Sequence, residues 1–208
     1  MTERFWVFLR ILIPICFLLV LLLTNKAYPL DRCIEYTTDE RAQGLKNFGP
    51  GYPYWYGLGQ LQQESNCRAN VTAFDLGQGI AQFMPKTAQY INSLMGKNLN
   101  PYNPHQAIQM QNYYMALIYR SQKKWSGKLW TSYQEYNGGL SNLYNEFKRA
   151  RALDWEKMKD QCHRKVITLK NGSKLDFCQV NYDYSKKVYK YGQQYKNGNS
   201  ENKVWKFW

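Results

Sequence analysis

Apolar side chains crowd the first 23 positions of this 208-residue chain and thereafter recur every three or four residues between clusters of glycine, proline and asparagine. The opening run, FWVFLRILIPICFLLVLLL from Phe5 to Leu23, is broken only by Arg10 and Pro14. Its length suits a membrane-crossing helix, about 17 to 25 residues, while the charge-free part from Ile11 to Leu23 also fits the apolar core of an export signal. Asn25 and Ala27 make a poor cleavage site, so residues 1–25 are expected to remain as an anchor, with a cleaved signal as the alternative. Arg4 and Arg10 precede the run, which sets the N-terminus on the cytoplasmic side and the remainder on the exported side. Residues 26–50 are polar and turn-forming and end in NFGPGYPYW, the pattern of a tether.

From residue 51 the period becomes helical. Trp55, Leu58 and Leu61 recur at three-residue spacing through YWYGLGQLQQES, predicting a helix that Gly57 and Gly59 weaken and that ends near Glu64. PKTAQYINSLM restarts a helix with Pro85 in its first turn. NPHQAIQMQNYYMALIYRSQKKW is the strongest helical stretch, with Ile108, Tyr114, Leu117 and Ile118 on one face. LWTSYQEYNGGLSNLYNEFKRAR predicts two short helices parted at Gly138 and Gly139. After about residue 155 the texture changes, and VITLKNGSKLDF sets Asn171 and Gly172 between β-prone flanks, the signal of a hairpin. A two-residue turn there puts Cys178 opposite Lys165. Beyond it Tyr184, Val188, Tyr191 and Tyr195 share one helical face, with Lys186, Lys187 and Lys190 largely on another. The expected architecture is mainly α: a helical domain over 51–150 and a basic, aromatic-rich extension over 151–208 that carries a small β-hairpin.

Composition sharpens this picture in three ways. Aromatics form 16% of the chain, with 18 Tyr and 7 Trp, which excludes a disordered protein and suits a groove lined with flat rings. The net charge of +13 implies an anionic partner, whether nucleic acid, membrane headgroups or an acidic polymer. Most of that excess falls between Lys148 and Trp208, where 15 Lys and Arg stand against 6 Asp and Glu. Cys16 lies in the apolar run, leaving Cys33, Cys67, Cys162 and Cys178 as an even set that predicts two disulfides in an oxidising compartment, with three connectivities open. There is no CxxC, and His105 and His163 are far apart, so neither a metal nor another cofactor is expected.

Glu64, at a predicted helix end beside a glycine-rich bend, has the setting of a general acid. Burial among aromatics would favour its neutral form and keep a proton available near neutral pH. Glycosidic cleavage needs such a donor at the leaving oxygen. On the residues alone, a structural or merely solvated glutamate is the commoner reading at such a place, and catalysis is only permitted.

A resemblance decides between them. ES at 64 and 65, GIAQFMPKTA at 79–88, NPHQAIQMQNYYMALI at 103–118 and YNGG at 136–139 resemble, in order and spacing, the motifs of the soluble lytic transglycosylase catalytic domain. That domain belongs to the lysozyme-like superfamily, with goose-type lysozymes as relatives. The resemblance implies that Glu64 is the catalytic acid and base, with Ser65 as a hydrogen-bonding partner for the sugar or the carboxyl. It implies that Gln82, Met84, Tyr114, Tyr136 and Asn137 line the substrate groove. Three departures stand out: AFDLGQG replaces the family's Ser-Pro-x-Gly-Ala segment, Ala81 stands where Met is frequent, and Glu135 precedes the Tyr-Asn pair in place of Ala. Ala81 would widen the groove, while Glu135 and Asp75 are candidates for a second carboxylate.

The activity implied is cleavage of the β-1,4 bond between N-acetylmuramic acid and N-acetylglucosamine in peptidoglycan, with formation of a 1,6-anhydro sugar. The alternatives are a hydrolytic muramidase and a non-catalytic peptidoglycan-binding assembly protein on the same fold. With the anchor, the expected site of action is the periplasmic face of the inner membrane, or the periplasm after signal cleavage. Local wall opening for a secretion or conjugation machine or a phage is the implied context. Export would turn the basic extension toward the wall, so nucleic acid is not an expected partner.

Overall fold

A computed structural model describes residues 32–169, 171–196 and 205–208. The expected N-terminal membrane helix, as anchor or signal, lies outside these residues; among those described, no helix is long and apolar enough to cross a membrane. Residues 33–208 form one mainly helical unit with a small antiparallel hairpin.

The stretch expected as a tether holds a helix. After a short 3-10 turn, Ile34–Tyr36, helix α1 runs from Thr37 to Phe48. Cys33 is joined to Cys67, with their Cα atoms 5.3 Å apart. Glu40 of α1 is fully buried and accepts a hydrogen bond from Asn112 Nδ2 at 2.9 Å. The helix escapes an apolar-pattern reading because what it buries includes a carboxyl and a glycine, Gly44, as well as greasy side chains.

Helix α2, Trp55–Ser65, is buried along its whole first two turns, from Trp55 to Leu61. It therefore shows no clean polar face, which is why its sequence signal is weak. Helix α3, Pro85–Met95, starts on Pro85 as expected, and α4, Pro104–Gln122, starts at Asn103, whose side chain accepts from the Gln106 amide. On α4, Ile108 and Ile118 are buried while Tyr114 and Leu117 are half-buried. Met110, Gln111, Asn112 and Met115 are buried as well, because α4 packs against both α1 and α5. Helices α5, Leu129–Gly138, and α6, Leu140–Ala150, part at the expected glycines, and a short α7, Trp155–Asp160, follows.

Strands β1, Val166–Thr168, and β2, Lys174–Asp176, pair Val166 with Asp176 and Thr168 with Lys174. That register is one residue longer than a two-residue turn gives. Gly172 is the cause: its left-handed backbone, φ +80°, and its amide bond to the Leu169 carbonyl make the connection a three-residue turn. The second disulfide, Cys162–Cys178, closes just outside this hairpin.

Helix α8, Phe177–Gln194, is the largest departure from expectation. Rather than an appended basic arm, it packs along α2. Gly59 and Gly192 allow this approach: a Cβ added to Gly59 would lie 2.5 Å from the Gly192 nitrogen and the Val188 carbonyl oxygen. Asp176 caps α8 by accepting from the Cys178 and Gln179 amides. Asn181 Nδ2 donates to the Gln134 carbonyl of α5, and the Tyr182 hydroxyl donates to Glu146 of α6 at 2.7 Å. Glu146 is buried and also holds Arg164 at 3.1 Å. The expected face Tyr184, Val188, Tyr191 and Tyr195 is buried except at half-exposed Tyr191, where Gly192 takes over the contact.

Candidate active site

A cleft with a cavity of about 400 Å³ opens where four parts of the chain meet. Gln63 and Glu64 come from the last turn of α2. The loop between α2 and α3 supplies Ala73, Phe74, Asp75, Gly77 and Gln82, with Met84 at its exit. Tyr136 and Asn137 come from the last turn of α5. The fourth wall is α8, through Gln179, Val180, Asp183, Tyr184 and Lys187.

The loop holds its shape by alternation. Ile80, Ala81 and Phe83 are buried, while Gln82 and Met84 face the cleft. Gln78 exchanges backbone hydrogen bonds with Phe83, and the Gly79 amide donates to the Val71 carbonyl. Gln82 sits in left-handed backbone, φ +52°, with its Nε2 donating to the Gly79 carbonyl at 2.6 Å. Leu76, φ +75°, stands in the same strained region. Ala81 lies wholly under the loop and does not widen the groove. Its carbonyl accepts the Tyr136 hydroxyl at 2.7 Å, which ties α5 to the loop.

Glu64 is half-buried by surface exposure, yet protein closes around its carboxyl. Burial pushes its pKa up to about 8; the Tyr184 hydroxyl bond opposes this, and the charge of Asp75 adds to it. Tyr184 donates to Glu64 Oε1, which leaves Oε2 to carry the acidic proton. The donor is itself fixed. Gln60 Nε2 donates to the Tyr184 oxygen at 3.2 Å, and Gln111 Nε2 donates to Gln60 Oε1 at 2.8 Å. Both glutamines are buried. The Gln60 amide fills the acceptor side of the phenol while Gln111 holds that amide in place, so the one phenol hydrogen points at the carboxyl. Burial, then the neighbouring Glu64 charge, hold the Tyr184 and Tyr136 phenols well above 10, so both stay protonated.

Of the residues expected in the groove, Gln82, Met84, Tyr136 and Asn137 line it with Glu64. Ser65 does not. It is buried, donates to the Ile80 carbonyl at 2.8 Å and accepts from the Arg68 amide, so it secures the loop rather than meeting a sugar. Tyr114 stands behind the wall, its ring 5.7 Å from that of Tyr136. Glu135 is also absent from the cleft: Gln122 Nε2 donates to it at 2.6 Å on another side of α5. Asp75 does line the cavity, and Asp183 joins it. Sequence reasoning missed Tyr184, Asp183 and Lys187. The signal for Tyr184 was its place on the apolar face of the last helix, but nothing in the pattern tied that face to Glu64. Among the described residues no three His, Cys, Asp or Glu side chains gather as a metal would require.

Residues 59–159 match the family model described as the transglycosylase SLT domain. No curated protein matches the chain. Among solved structures, the chain is similar to the crystal structure, at 1.65 Å resolution, of the 70 kDa soluble lytic transglycosylase SLT70 from Escherichia coli. The TM-score is 0.59 at 17% identity, over 79% of this chain and 26% of that one. At that identity the likeness is one of fold, and this chain spans about a quarter of the length of the larger protein.

Proposed function

We propose that the chain is a peptidoglycan lytic transglycosylase with Glu64 as its acid and base, a reading supported by the match of residues 59–159 to the transglycosylase SLT domain model. The observation that carries the reading is the closed carboxyl of Glu64, held in its neutral range and oriented by Tyr184 at the centre of the cleft. Neutral Glu64 donates its proton to the oxygen between N-acetylmuramic acid and N-acetylglucosamine as the bond to the muramyl anomeric carbon breaks. The substrate's N-acetyl group supports the cationic carbon. The carboxylate so formed then takes the proton of the muramyl 6-hydroxyl while that oxygen bonds the anomeric carbon, giving the 1,6-anhydro product and restoring the acid. No water enters, so no second carboxylate is needed.

The two disulfides suit an oxidising compartment. Together with the apolar N-terminal run they favour an exported enzyme held at the inner membrane, opening the wall locally for a secretion, conjugation or phage assembly. A second reading, hydrolytic muramidase, has one observation in its favour: Asp75 lines the same cavity, and its charge is felt by Glu64.

The test is product analysis. Full-length protein incubated with purified sacculi is expected to release anhydromuropeptides, identified by mass, and Glu64→Gln to lower that release at least a thousandfold while still binding sacculi. Reducing-end muramic acid that disappears in Asp75→Asn would replace the lyase with the hydrolase. Intact sacculi with wild-type protein would refute both.

A further inference from the structure

Resting on the reading of this cleft as a peptidoglycan site, we propose that Lys187 is a specificity-determining residue that binds a carboxylate carried on the O3 lactyl substituent of the muramyl sugar. The cavity is lined by three carboxyl side chains, Glu64, Asp75 and Asp183, and among the described residues by one cation, Lys187. The carboxylates do not consume it. Asp183 is taken by Gln179 Nε2 at 2.6 Å, and no ion pair within 4.0 Å involves Lys187 among the described residues. The adjacent lysine shows the contrast: Lys186 lies 3.4 Å from the Trp155 ring centre and 3.4 Å from Glu156, away from the cleft. Two neighbouring lysines thus have separate duties, one packing α8 and one facing the substrate space.

Position defines what Lys187 can meet. It stands three residues after Tyr184, about 4.5 Å further along the helix axis on the same side. Tyr184 marks Glu64 and hence the bond to be cleaved. An ammonium on a flexible four-carbon stem at that place reaches the substituents of the sugar beside the bond. The two sugars of the polymer differ there. N-acetylglucosamine is neutral, whereas the muramyl sugar bears the lactyl ether, which ends in a carboxylate when bare and in an acidic peptide when substituted. A cation next to the acid therefore distinguishes one sugar from the other and sets which way the strand lies across Glu64. The same charge also offsets Asp75 and Asp183, which would otherwise repel an anionic strand.

Binding in the full-length Glu64→Gln background tests this without turnover. Three ligands are compared: peptide-bearing strands, strands stripped by an amidase, and stripped strands whose carboxyls are converted to methylamides. Adding Lys187→Met is expected to weaken binding of the carboxylate-bearing strands about tenfold, Lys187→Arg to stay within about twofold of Lys187, and methylamide strands to bind all three alike. Loss confined to peptide-bearing strands identifies the peptide carboxylates as the partner, loss confined to stripped strands identifies the lactyl carboxylate, and loss on both shows that Lys187 serves either. Unchanged binding by Lys187→Met, or an equal loss on the methylamide strands, overturns the proposal. Cleavage by the chain with Glu64 intact, run in parallel, separates the two readings: charge-dependent binding without cleavage would remove the lytic assignment alone, and cleavage with charge-blind binding would remove this one alone.

Discussion

Burial and two neighbours act on Glu64, and their roles differ. Burial raises its pKa, Asp75 raises it further, and the Tyr184 hydroxyl lowers it by stabilising the ionised form. Tyr184 therefore acts as a brake on the acid as well as its guide. Replacing it by phenylalanine removes the donated hydrogen bond and leaves Gln60 Nε2 without that acceptor. The expected result for Tyr184→Phe is a fall in kcat of about tenfold, from lost orientation of the carboxyl. The sign of the pH effect follows from the same bond: without the donor the neutral acid persists to higher pH, so the alkaline limb of the pH–rate profile moves up. A limb that moves down, or does not move, would show that the phenol does not act on the carboxyl.

The helices that carry these residues were unevenly legible. α3 and α4 announced themselves through Pro85, Asn103 and Pro104, residues whose backbone demands mark a helix start whatever surrounds it. α1 was hidden because Glu40 and Gly44 are among its buried positions, and α2 was predicted, though only on a weak signal, since it has no polar face over its first two turns. In the site, Glu64, Gln82, Met84, Tyr136 and Asn137 lie in short motifs of fixed spacing, and the fold brings them to one cleft. Ser65 was misjudged since spacing does not say where a hydroxyl points, and Tyr184 was missed because its contact with Glu64 bridges 120 positions. That contact depends on how closely α8 approaches α2, which Gly59 permits. Gly59→Ala forces a methyl against the Gly192 nitrogen and the Val188 carbonyl, neither of which can turn aside. The expected cost is about 2 to 4 kcal/mol of stability, measured by urea unfolding, together with a loss of activity larger than that of Gly96→Ala, where the added Cβ meets nothing within 4 Å and the cost is only the left-handed strain at φ +61°.

At the scale of the whole molecule, two buried acids shape the response to pH. Burial pushes Glu40, like Glu64, up to about 8 from an ordinary 4.5; Asn112 opposes the shift and Asp39 reinforces it. A folded-state pKa above the unfolded one means that the folded chain holds a proton the unfolded chain releases. The contribution is therefore complete below about pH 4.5 and is lost as pH rises toward 8, at up to about 1.4 kcal/mol per pH unit for each group. Thermal unfolding followed from pH 5 to pH 8 is expected to show falling stability, and Glu40→Gln to remove about half of the slope while keeping the bond from Asn112. Stability that rises over this range would contradict the burial of both groups. The proposed chemistry turns on the state of one carboxyl, and carbon-detected NMR titration of the Glu64 side chain, assigned against Glu64→Gln, measures it directly. A midpoint near pH 8 is predicted; a midpoint near 4.5 would mean that the cleft holds no proton to donate at neutral pH.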